Sequence, residues 1–158
     1  MKHTAWLVLF LLALARSGGL AADEMGADAF AGAYLLVQHD GYQRIVTLGS
    51  DGIVTQVSDQ EPVLGFTGGR GAWQQTGPDK ARARVIDFSY ELADNARVGP
   101  SLIVYDLDFA DPVDGKYQKV SGRFAGKQFA VGQNPLTPSE PPIGTYGIAF
   151  QGQRITPE

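Results

Sequence analysis

From residue 32 onward, apolar and polar positions alternate with a period of two, and no stretch carries the 3.6-residue period of an amphipathic helix. Residues 32–38 form the first such run. Residues 43–48 and 53–57 form the next two and flank Gly49-Ser50-Asp51-Gly52, where the Asp-Gly pair between β-branched runs predicts a tight hairpin. Residues 71–75 and 80–90 flank a Gly77-Pro78-Asp79 turn and predict a second hairpin, with Trp73 on its entering strand. Residues 101–109, 117–124, 128–131 and 145–155 read as further strands. The proline-rich run 134–142 cannot be a central strand, because proline donates nothing to the ladder; it is expected to be an extended loop, placed to lie across an open end. Residues 59–69 read as irregular.

Seven or eight short strands joined by glycine-rich turns predict an all-β fold. A single antiparallel closed β-barrel of about eight strands is preferred to a sandwich, because sequential hairpins pair neighbours and closure removes the edges. A barrel of that size has room inside for side chains or for one small ligand.

The N-terminus follows another rule. Lys2 and His3 precede an apolar run from Ala5 to Ala15, and Ser17, Gly18, Gly19, Ala21 and Ala22 follow it. This is the layout of a secretory signal peptide, with an apolar core too short to span a bilayer. The expected division is therefore residues 1–22 as signal and 23–158 as the barrel domain, in a secreted or periplasmic protein. Residues 23–30 are expected to be a mobile lead-in or a short plug.

The chain has no cysteine, so an ordinary core must supply its stability. Removing residues 1–22 takes away Lys2 and Arg16 but no acid, leaving 11 basic against 17 acidic residues, a formal charge of −6 in place of −4. Such a balance repels phosphate backbones and anionic lipid, which argues against nucleic acid and membrane surfaces as partners. Oligomeric state is left open.

Four glycine–aromatic openings recur: Gly32-Ala33-Tyr34, Gly71-Ala72-Trp73, Gly122-Arg123-Phe124 and Gly144-Thr145-Tyr146. With Arg154 near the end of the last strand, they are similar to the small calycin barrels, the lipocalin and avidin group. Lipocalins carry Gly-x-Trp in the first strand, where this chain has Tyr34. The Gly71-Ala72-Trp73 strand with its Gly77-Pro78 turn, the Asp87-Phe88 pair and Phe150-x-Gly152-x-Arg154 resemble secreted bacterial relatives of the allene oxide cyclase and dirigent barrels. Both resemblances imply a barrel with a central cavity. One implies ligand carriage, the other cyclisation or stereochemical guidance of a small hydrophobic substrate.

Candidate chemistry is sparse. His39 lies in a predicted turn with no second histidine and no cysteine beside it, so no metal or other cofactor is expected. Asp106, Asp108, Asp111 and Asp114 lack the order of a calcium loop and read as a solvated strand edge. The glycines of residues 65–71 precede a strand, so they offer no helix N-terminus to an anion.

Asp87 is ambiguous. If Ala81 and Val85 face inward it is a carboxylate inside the lumen, where burial raises its pKa and suits it to proton transfer. If Phe88 and Tyr90 face inward it meets water, the arrangement favoured by the cost of burying an unpaired charge. Asp87, Arg84 and Tyr105 are the catalytic candidates. Tyr34, Trp73, Phe88, Tyr90 and Tyr146 are the candidate walls of a site for a small hydrophobic ligand.

Overall fold

Eight strands in chain order, each antiparallel to the next, close into one barrel in the computed structural model, which describes residues 26–157. They are β1 (Gly32–Gln38), β2 (Gln43–Leu48), β3 (Ile53–Ser58), β4 (Gly69–Gly77), β5 (Lys80–Tyr90), β6 (Arg97–Val113), β7 (Lys116–Gln128) and β8 (Gly144–Arg154). The register from Tyr34 opposite Arg154 to Gln38 opposite Phe150 joins the first strand to the last, so no edge remains. The expected signal peptide lies outside the described residues. Among the described residues no helix is long and apolar enough to cross a membrane.

The predicted hairpins form. Gly52 takes φ 81°, the left-handed region that its turn requires. Two expectations need correction. Residues 117–124 and 128–131 are not separate strands, since β7 runs unbroken to Gln128 while Phe129 is buried beyond it. The proline-rich run 134–142 contributes no residue to the walls or mouth of the cavity at the open end; Val131, Gly132 and Gln133 just before it lie beside Phe88, Arg97 and Pro100. The irregular segment before β4 contains a short helix, α1 (Glu61–Leu64). It is tied to the end of β5 by Tyr90 N–H donating to the Gly65 carbonyl (2.7 Å) and Thr67 N–H donating to that of Phe88 (3.0 Å).

Alternation along each strand sends one set of side chains into the lumen. On β5 the inward set is Ala81, Ala83, Val85 and Asp87, and on β6 it is Ser101, Ile103, Tyr105, Leu107 and Phe109.

One end of the lumen is filled. A 3-10 turn, Ala27–Ala29, delivers Phe30 between the rings of Phe109 (4.9 Å between centroids), Tyr117 (5.0 Å) and Trp73 (6.1 Å). Residues 26–30 are thus the plug and not a mobile lead-in. Arg154 fastens it, donating to the carbonyls of Ala29 (3.0 Å), Ala31 (2.7 Å) and Tyr117 (2.6 Å) and to the Tyr34 hydroxyl (2.5 Å). Its guanidinium lies 4.8 Å from the Tyr34 ring centroid, and a β-carbon at Gly32 would collide with it. The closed eight-strand barrel is compatible with a calycin-like one, and Tyr34 contributes the aromatic face against the closing arginine.

Candidate functional site

Above the plug the inward side chains change character. Leu36, Val46, Val54, Val85 and Ile103 make an apolar middle, and beyond them lie Gln38, Arg44, Gln56, Gln60, Asp87, Ser101 and Tyr105. They surround the floor of a cavity of about 480 Å³ that opens at this end. Its mouth is framed by Leu64 and Phe66 from the α1 segment, Tyr90 at the end of β5, and Tyr146 and Ile148 on β8. The volume is within the range of small-molecule sites. Tyr146 reaches the wall because Gly126 opposite it has no side chain; a β-carbon there would overlap the ring.

Arg44 is 5 % exposed, a cation carried into the lumen on the same face of β2 as Val46 and Leu48. Its guanidinium stacks 4.4 Å from the Phe124 centroid and 5.7 Å from that of Phe66, and donates to Gln60 Oε1 (3.2 Å) and to the Tyr105 hydroxyl (3.4 Å). Tyr105 in turn donates to Gln56 Oε1, and Gln56 Nε2 donates to Asp87 Oδ2 at 3.3 Å. The four groups form one oriented chain from cation to carboxylate, every donor facing an acceptor. Two atoms stay outside it. Among the described residues neither Arg44 Nε nor Asp87 Oδ1 finds a hydrogen-bond partner, although both atoms are buried.

The electrostatics follow from depth. Burial pushes the Asp87 carboxyl up to about 6; side-chain hydrogen bonding from Ser101, its neighbour across the β5–β6 ladder, and the Arg44 charge oppose that rise, and Glu61 adds to it. Burial likewise pushes the Tyr105 and Tyr146 hydroxyls up to about 12, with Arg44 pulling the other way at both. At neutral pH the site therefore holds a permanent cation, two phenolic donors that keep their protons, and a carboxyl group with a pKa close enough to neutrality to gain or lose one.

The structure sorts the sequence candidates. Asp87 is 2 % exposed and lines the cavity, so the water-facing alternative for it is corrected; Tyr105 is fully buried and reaches the site through its hydrogen bonds to Arg44 and Gln56. Arg84 points outward into solvent, as does Phe88, which is 60 % exposed, because they share the face of β5 opposite Asp87. Tyr90 escapes that face through the register shift after Ser89 and reaches the rim, where Tyr146, 41 % exposed, also stands. Tyr34 and Trp73 are buried at the plugged end and do not line the cavity above Arg44: Tyr34 meets Phe109, and the Trp73 indole N–H donates to the Gly49 carbonyl (2.8 Å). The acidic edge is occupied by surface ion pairs, Asp106 with Arg82, Asp108 with Lys80 and Asp111 with Lys119. Among the described residues no cluster has the ligands for a metal ion.

Arg44, Gln56, Gln38 and Gln60 were not anticipated. The signal for Arg44 was its place two and four residues before Val46 and Leu48, but Ile45 and Thr47 make the other face of β2 equally plausible as the inner one. Comparison with protein-family models, with curated proteins and with solved structures finds no match to this chain.

Proposed function

We propose that the protein is an exported barrel that binds one small hydrophobic or aromatic molecule in the upper half of its lumen. The observation that carries this reading is the open cavity whose floor is polar and whose mouth is aromatic, with Arg44 and Asp87 among its lining residues. Phe66, Phe124, Tyr90 and Tyr146 suit an apolar body, and the Arg44–Asp87 chain suits a polar end. The secreted or periplasmic setting rests on the N-terminal sequence pattern and the calycin-like assignment on the closing arginine. Native mass spectrometry after incubation with a mixed pool of small aromatic and aliphatic compounds tests the binding. A retained stoichiometric guest is the expected result, and a folded barrel that retains none of the pool contradicts it.

A second reading has its own support. Asp87 with a pKa near neutrality, the Tyr105 hydroxyl and the Arg44 cation around one cavity are the parts of a site that moves a proton while holding a developing negative charge. That fits the cyclase- or dirigent-like alternative, with Arg44 in the place first assigned to Arg84. Turnover of a cyclisable or enolisable compound, lost on Asp87→Asn, distinguishes this reading from simple carriage.

A further inference from the structure

We infer that the guest is a weak acid, a small carboxylate, and that it enters together with one proton which the site holds between the ligand carboxyl and Asp87. This rests on the binding reading above and names its ligand class.

The argument begins with charge. Among the described residues Arg44 makes no ion pair, and it is held by two aromatic faces and neutral acceptors. A buried cation so placed attracts an anion, and because Arg44 lines the cavity a carboxylate seated there meets its charge. With Asp87 ionised, an incoming carboxylate would leave the floor with two negative charges against one positive, in a space where uncompensated charge is expensive. One proton restores neutrality.

The hydrogen bonds point the same way. The chain from Arg44 through Tyr105 and Gln56 ends on Asp87 Oδ2, and Ser101 is the other side chain that favours the ionised carboxyl. Arg44 and Asp87 both line the cavity, so a carboxyl group there can accept from the guanidinium and, when the shared proton is on the ligand, donate to the Asp87 carboxylate. The proton comes from solvent, and no covalent bond to carbon is made or broken.

Other charged and titratable groups facing this floor bear on the same balance. Glu61 of α1 disfavours ionised Asp87, whereas Tyr105 of β6 and Tyr146 of β8 stay neutral across the range concerned. Asp40 and Glu91, exposed at the rim, add negative charge that opposes entry of any anion.

Calorimetric titration with 2-naphthoic acid and with its neutral amide, 2-naphthamide, tests the inference between about pH 5.5 and about pH 8, in two buffers of different ionisation enthalpy. The acid is expected to bind about tenfold more tightly at the lower pH, which corresponds to a rise of somewhat over one unit in the Asp87 pKa on binding. The buffer difference should report about half a proton taken up per ligand near neutrality, and the amide should change by less than about twofold. Asp87→Asn should flatten the acid's profile at its tight limit. An acid profile without pH dependence or proton uptake, or an amide that binds more tightly than the acid at every pH, overturns the weak-acid inference and leaves the binding reading standing. If neither probe binds the folded protein, the binding reading itself falls. The buffer comparison needs only the unmodified protein, so it holds even where a substitution fails to fold.

Discussion

Asp87 is where the chain gives up stability for chemistry. Its carboxyl, ordinarily near 3.8, is pushed up to about 6 by burial, so the folded state holds the proton more tightly than the unfolded chain does. Stability therefore falls as pH rises from about 4 to about 6, and the full penalty, on the order of 3 kcal/mol at most, applies above that. Asp87→Asn keeps the shape and an acceptor for Gln56 while removing the charge. Urea unfolding should find the variant more stable than the parent by about 1–3 kcal/mol at neutral pH and nearly equal to it near pH 4. An equal difference at both pH values would mean that Asp87 is not the titrating group. The outward charges are a different matter. Lys80–Asp108 and Arg82–Asp106 are more than half exposed, in the class of ion pairs that contribute little to stability.

The elements divide the barrel into two ends with separate tasks. The 3-10 turn and the first residues of β1 close one end, with Phe30 fully buried among Trp73, Phe109 and Tyr117. The α1 segment, the end of β5 and the start of β8 shape the other. Phe30→Ala should destabilise the protein by about 3–5 kcal/mol in urea unfolding, because it empties a packed aromatic cluster. Its affinity for a cavity ligand should change by less than about twofold, since the plug does not line the cavity. A large loss of affinity in a folded Phe30→Ala protein would show that the two ends are coupled.

Strand positions were legible because local patterning determines them. Lys80–Tyr90 is one strand in both readings, and Asp51-Gly52 makes its hairpin. The inward face of β5 was not legible from the strand alone. Its outer face carries the bulky Ile86 and Phe88, whereas its inner face is Ala81, Ala83 and Val85, small because Phe30, Trp73 and Phe109 from elsewhere already fill that end. Size along one strand misleads when the complementary bulk comes from others.

At the scale of the whole molecule, closure makes the site. Arg44 on β2, Gln56 on β3, Asp87 on β5, Tyr105 on β6 and Phe124 on β7 are far apart in the chain, and only joining β1 to β8 turns their side chains toward one another. No short motif records such a constellation, which is why Asp87 and Tyr105 could be suspected singly but their connection through Arg44 and Gln56 could not. The apolar middle layer and the plug fill the remaining half of the lumen with packed side chains.

The central claim is that this half-filled barrel houses its guest above Arg44 and Asp87. Titrating isotopically labelled protein with 2-naphthoic acid and following side-chain and amide resonances by NMR tests it directly. The account predicts saturable shifts at Arg44, Ser101, Tyr105, Phe124 and Tyr146, with Phe30, Trp73 and Phe109 unmoved. Shifts confined to the outer wall around Phe88 and Val131, or none that saturate, would contradict it.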